Sequence, residues 1–341
     1  MHTNKGISRR EFLPGALAAV AAAKSAWTQT LTAATSRPRP FRLIPLNTGE
    51  CLLGKNHVLG DPYSDDERVP FTIYAFLADG GPGRRVLIDL GPVGLKYIND
   101  MFRRYRFFRD LPGDTDAIRQ PHSNVFDWLK RLSLEPADIN HIVFTHLHAD
   151  HHGLTDARDG GAVMRFPRAT VHVSRIGWQD NLGKRRDGQW NSYVDYAFAD
   201  YLLAGEQCGI VRFHDNDEVL SGMDVIHMGG HSPCSQAIRV QTDAGPVVIA
   251  GDEIYHYSLF ERGILSRLYT TPEQQLAASN KLADLAMDGA ILLPCHDPLL
   301  SKQYEQSGDA WLRDLAPISR RAARGFKASA KKKLPRSAAE G

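Results

Sequence analysis

The strongest constraint on this chain is a short run in its first half. Ile142-Val143-Phe144-Thr145 is apolar and β-prone, and it delivers His146, His148, Asp150 and His151 in the pattern His-x-His-x-Asp-His. On an extended segment alternate side chains point the same way, so His146 and His148 can reach one ion together. Asp150 and His151 need a turn to aim at a neighbouring position, and Gly153 suits that change of direction. Neutral imidazole and carboxylate are the usual ligands of zinc, and they also serve iron, manganese and cobalt. A polar loop with a helix-capping histidine explains one such residue. It does not explain four metal-competent side chains at the end of an apolar strand.

Three further candidates follow apolar runs in the same way. His231 lies in Gly229-Gly230-His231-Ser232-Pro233-Cys234 after Val225–Met228, Asp252 follows Val247–Gly251, and His296 follows Ile291–Cys295. Runs rich in Val, Ile, Phe and Thr predict strands over 41–46, 72–77, 85–90, 141–145, 170–174, 223–228, 237–241 and 247–250. Apolar spacing at helical period predicts helices over 94–105, 125–132, 193–203 and 272–287. Strands cluster with helices interspersed, which is the pattern of a layered α/β domain. With 43% hydrophobic and 23% charged residues, the chain has the composition of a folded protein. Its four cysteines are too few and too scattered for a disulfide scaffold or a cysteine-based zinc finger.

As an ordered set over roughly residues 41–300, these candidates resemble the metallo-β-lactamase superfamily. The resemblance implies an αββα sandwich with its metals at one edge of the two sheets. Carried over by position, His146, His148 and His231 would hold one divalent ion. Asp150, His151 and His296 would hold a second, with Asp252 bridging both; zinc is the leading candidate for the two ions. An aspartate at 252 speaks against the antibiotic-hydrolysing members, and a histidine at 148 against the flavodiiron oxidoreductases. The short helical segment after His296 speaks against glyoxalase II-type thioesterases.

Ile44-Pro45, Cys51-Leu52-Leu53, Val69-Pro70, Trp128–Leu132, Glu135–Asp138, Gly230–Pro233 and Asp252–Tyr255 look like the N-acyl homoserine lactonase branch. That likeness implies a hydrolase that opens a lactone by attack of a metal-bridging hydroxide, with Tyr255 on the substrate carbonyl and Asp150 a proton donor. Other esters, thioesters or organophosphates are the alternative substrates, and a non-catalytic metal-binding protein is the alternative class. Cys234 and Cys295 replace small residues of the branch beside two ligands. They are expected to be neighbours near the site, as packed thiols or as a disulfide. The aromatic, basic segment 100–114 could border the entrance, and 257–269 could line an acyl pocket; a surface helix and ordinary packing are the plainer alternatives.

Charge divides the chain into three parts. Residues 1–34 carry Lys5, Arg9, Arg10 and Lys24 against Glu11, and residues 319–341 carry eight Lys and Arg against Glu340, leaving residues 35–318 near −8. An acidic body excludes a nucleic-acid binder of the kind the overall basicity suggests. Ser8-Arg9-Arg10-Glu11-Phe12-Leu13, a weakly apolar alanine run and Lys24 resemble a twin-arginine export signal, so 1–34 is expected to be recognised by that machinery and the mature hydrolase domain, 35–318, to be periplasmic. The Ala/Ser/Lys-rich segment 319–341 is expected to be a disordered basic tail. No apolar stretch reaches the length of about 18 residues that a membrane span needs.

Overall fold

The structure, a computed structural model, describes residues 39–59, 64, 67–92, 95, 99, 118–120, 124–153, 165–186, 196–266 and 270–333. Eleven strands among them form two sheets. In the first, β1 (Arg42–Gly54), β2 (Arg68–Asp79), β3 (Arg85–Ile88), β4 (His141–Val143), β5 (Thr170–Ser174) and β6 (Val211–His214) lie in sequence order. The β1–β2–β3 part is antiparallel and β3 to β6 are parallel. In the second, β11 (Ile291–Leu293), β10 (Gly245–Ile249), β9 (Gln236–Thr242), β8 (Met223–His227) and β7 (Glu218–Leu220) are neighbours in that order. Helices α1 (Lys55–Leu59), α2 (Val125–Arg131), α3 (Arg175–Arg186), α4 (Tyr196–Gln207), α5 (Tyr257–Glu261), α6 (Pro272–Met287), α7 (Leu299–Ser307) and α8 (Trp311–Lys333) complete the αββα sandwich.

Strand alternation assigns each residue to a layer. Ile142 and Phe144 join Leu77, Leu87 and Val171 in a core with Leu129 of α2, Trp178 of α3 and Leu202 of α4. Val143, between them, faces the other way with Phe76, Val86 and Ile88 into a core shared with Val225, Val240 and Val248 of the second sheet. A strand covered on both faces has no solvent side, which is why β2 is buried at every position from Phe71 to Ala78. Helix starts follow local chemistry: Asn124 caps α2 by accepting from the amides of Phe126 and Asp127, and Thr271 with Gln274 forms a capping box ahead of Pro272 in α6.

The predicted strands 170–174, 85–90 and 223–228 fall on β5, β3 and β8, and the helix 272–287 is α6. The run 41–46 is the start of a longer β1, because a bulge between Asn47 and Gly49 lets pairing with β2 continue through Asn-Thr-Gly, which reads as a turn. The helix predicted at 94–105 and the segment 100–114 lie outside the described residues apart from positions 95 and 99, as do the segment 1–34 expected to be an export signal and residues 267–269.

The expectation of disorder after residue 318 is corrected. Residues 319–333 continue α8, whose Leu312, Leu315, Ser319, Ala322, Ala323 and Phe326 are buried at helical spacing. Phe326 stacks on Phe260 of α5 with centroids 4.6 Å apart, Arg321 pairs with Glu261, and Lys327 pairs with Asp284 of α6. Arg320, Arg321 and Arg324 lie on the exposed face of this amphipathic helix, and the domain boundary at 318 falls inside it; residues 334–341 lie outside the described residues. Phe326→Ala is expected to lower folding stability by about 3 kcal/mol, read from the denaturant midpoint, where substitution in a disordered tail leaves it unchanged.

Candidate metal centre

Strand direction places the candidate ligands. β4, β8, β10 and β11 all run toward the same edge of the sandwich, and the turns after them carry His146–His151, His231, Asp252 and His296. Gln236, the first residue of β9, ties the sheets at this edge: its amide donates to Thr145 O at 2.8 Å and its Nε2 to Phe144 O at 2.7 Å. All the histidines of the set are buried, as is Asp252.

Two donor groups form. His146, His148, His231 and Asp252 make the first, and His151, Asp252, Cys295 and His296 the second. In the first, His148 Nδ1 lies 3.0 Å from His146 Nε2 and 3.1 Å from His231 Nε2. Asp252 Oδ2 lies 3.5 and 3.4 Å from the same two Nε2 atoms. In the second, Asp252 Oδ1 lies 3.2 Å from His151 Nε2 and 2.8 Å from His296 Nε2. Asp252 thus turns one carboxylate oxygen to each group.

Hydrogen bonds behind the rings fix which nitrogen offers its lone pair. His296 Nδ1–H donates to Thr72 O at 2.8 Å, leaving Nε2 as the free base. Asp89 accepts from the Thr145 amide at 2.8 Å, the Thr145 hydroxyl at 2.7 Å and His151 Nδ1–H at 2.9 Å, so His151 also presents Nε2. With its own proton on Asp89, Thr145 Oγ1 accepts from His146 Nδ1–H at 3.1 Å, and His146 Nε2 is left as base. With the rings unprotonated, lone pairs converge at about 3 Å, an arrangement that repels unless a proton or a metal cation stands between them. The separations match the roughly 3.3 Å edge of a tetrahedron with bonds of about 2.0–2.1 Å, the geometry of zinc with nitrogen and oxygen donors. The residues fit a pair of divalent ions.

Electrostatics agree. Burial, reinforced by His151, pushes His146 down to about 3, and burial pushes His148 well below the usual imidazole range, so both rings are neutral donors. Burial alone would raise Asp252; His296, His151 and His146 outweigh it and hold the carboxylate well below its usual range. Burial lowers His151, but the carboxylates of Asp150 and Asp252 outweigh it and hold the ring well above its usual range.

Asp150 stands just outside the second group, its Oδ2 3.6 Å from His151 Nε2, while Cys295 lies within it, its Sγ 3.9 Å from His151 Nδ1. Cys234 and Cys295 form no disulfide: both are free thiols. Cys234 packs against Gly177 of α3, where an added Cβ would lie 2.1 Å from the cysteine Cα. Tyr255 is buried beside both groups, its ring centroid 6.0 Å from that of His231 and 5.4 Å from that of His296, with Phe71 edge-on at 5.3 Å. Sequence inspection missed Asp89, although Ile88-Asp89 shows the same strand-end signal as Asp252. Asp89 also holds a positive φ of 56°, an unusual conformation for a residue other than glycine.

Paired donor groups at the edge of an αββα sandwich define a metal-dependent hydrolase. The model of the metallo-beta-lactamase superfamily matches residues 68–296, and the chain belongs to that superfamily. Among similar proteins, an N-acyl homoserine lactonase of a Bacillus species is 23% identical over 226 residues, covering 65% of this chain and 80% of that one. N-acyl homoserine lactonase AttM of Azorhizobium caulinodans is 26% identical over 176 residues, covering 50% of this chain and 62% of that one. Among solved structures, a quorum-quenching N-acyl homoserine lactone lactonase superposes with a TM-score of 0.60 at 19% identity, over 78% of this chain and 96% of that one. A probable metal-dependent hydrolase from Staphylococcus aureus superposes with a TM-score of 0.57 at 16% identity, over 77% and 91%.

Because His151 must give up its proton to a cation, zinc binding to the metal-free protein is expected to release protons and to weaken as pH falls. Titration calorimetry in two buffers of different ionisation heat measures both effects.

Proposed function

We propose that this chain is an exported N-acyl homoserine lactonase whose two divalent ions are zinc. The observation that carries the substrate assignment is Tyr255. It follows the shared ligand Asp252 by three residues and lies beside both donor groups, where a bound carbonyl would meet them. The lactonase relatives support the same choice among the superfamily's substrates.

Two ions held here supply Lewis acidity and bring the pKa of bound water toward neutrality. His146, His148 and His231 with one oxygen of Asp252 would hold the first. His151, His296 and the other oxygen of Asp252 would hold the second, with Asp150 beside His151 a further ligand. Tyr255 donates its hydroxyl proton in a hydrogen bond to the lactone carbonyl oxygen as negative charge develops there. Asp150, half-buried, takes the proton that the attacking water gives up and delivers it to the ring oxygen as the ester bond breaks. Asp89 keeps His151 in one tautomer throughout.

Zinc-loaded protein is expected to hydrolyse acyl homoserine lactones, and Tyr255→Phe to lower kcat by about 100-fold. Hydrolysis of aryl esters with no activity on any acyl chain length overturns the lactonase assignment. Export rests on Ser8–Leu13 and the alanine run after it. Residues 1–34 fused to a folded reporter are expected to carry it to the periplasm, and replacing Arg9 and Arg10 by lysine to leave it in the cytoplasm.

A further inference from the structure

One buried carboxylate takes no part in the chemistry above. Glu253 is 2% exposed and stands one residue after Asp252. Its Oε1 accepts from the amide of Gly230 at 2.9 Å and from that of His231 at 3.0 Å. Those are consecutive amides of the turn that leaves β8 and carries His231. Two hydrogen bonds to one carboxyl oxygen fix the peptide plane between them and so set where the His231 side chain departs.

The remaining contacts tie the same turn down. Glu253 Oε2 has no hydrogen-bond partner and lies against Gly230, where an added Cβ would come within 2.3 Å of it and 2.7 Å of Ala278 in α6. Only glycine permits that approach. Thr270 Oγ1 donates to Gly230 O. Gln275 of α6 donates from Nε2 to Glu253 O at 3.2 Å and to Ser266 Oγ at 3.0 Å, and Ser266 Oγ donates to Asp252 O at 2.7 Å. The backbone that presents Asp252 and the backbone that presents His231 are thereby joined through residue 253.

We propose that Glu253 is a positioning residue for the first metal ion: its reach, rather than its charge, holds His231 Nε2 and Asp252 Oδ2 at their 3.4 Å separation. Two ligands from different strands then meet the ion without rearrangement. The inference rests on the dinuclear reading of the site. It is tested through metal binding, so failure of the lactone assignment leaves it standing.

The experiment compares wild type, Glu253→Gln, Glu253→Asp and, as a reference for loss of the first ion, His231→Asn, all full-length. Zinc affinity is measured by chelator competition, and the visible spectrum of the cobalt-loaded protein reports each site. Glutamine keeps the reach and removes the charge; aspartate keeps the charge and falls one methylene short. Glu253→Gln is expected to hold both ions as wild type does. Glu253→Asp is expected to weaken the first ion by about 10- to 100-fold, with the cobalt spectrum moving toward that of His231→Asn. Should Glu253→Asp not fold, Gly230→Ala, whose methyl group displaces the carboxylate, is read in the same way. Equal weakening by Gln and Asp, equal weakening of both ions, or an Asp variant that binds like wild type overturns the proposal.

Discussion

The structure turns on the burial of Asp252. A carboxylate removed from water costs several kcal/mol unless opposite charge and hydrogen bonds replace its hydration. Around it stand His146, His231, His151 and His296, all within 3.5 Å of one of its oxygens. Their lone pairs need a cation as much as Asp252 does. Without a cation a proton held on His151 offsets part of the charge of Asp252, and a metal ion that takes its place satisfies the imidazoles and the carboxylate together; the edge of the sandwich is where the backbone can assemble them. Strand interiors are committed to ladder hydrogen bonds and to the two cores, while strand ends are free to turn.

Precision comes from groups that touch no ion. Asp89 orients His151 directly and His146 through Thr145, so one carboxylate sets two rings across a peptide turn. Thr72 O does the same for His296, and Phe71 stacks on its other face with centroids 3.5 Å apart. Glu253 acts on the backbone instead, through the amides of residues 230 and 231. Each donor is held from behind, which limits the reorganisation needed to close around a cation.

Local chemistry was legible where one element could be judged alone. Thr170–Ser174 is β-branched and short, and Pro272–Met287 has a capping box and a clean apolar stripe; both emerge as written. The residues of the two donor groups were legible because a strand that ends in histidines leaves a local mark. β7 has only three residues, two of them half-buried, and β6 has four and is separated from α4 by three residues, so neither shows a strand signal against its surroundings. The C-terminal helix was misjudged for a related reason. Its lysines and arginines dominate the composition, while Ala322, Ala323 and Phe326 become a core face only because α5, α6 and the second sheet are there to receive them.

The sequence by itself determined the donor types, their order and their position at strand ends, because those depend on residue chemistry and on the two-residue period of an extended chain. Tertiary structure decided the rest. Which oxygen of Asp252 serves which group, Asp89's hold on two histidines, the approach of Cys295 to His151, and the clamp of Glu253 on Gly230 all join residues from different strands. Their separations are set by how two twisted sheets pack against each other, and no local pattern records that distance.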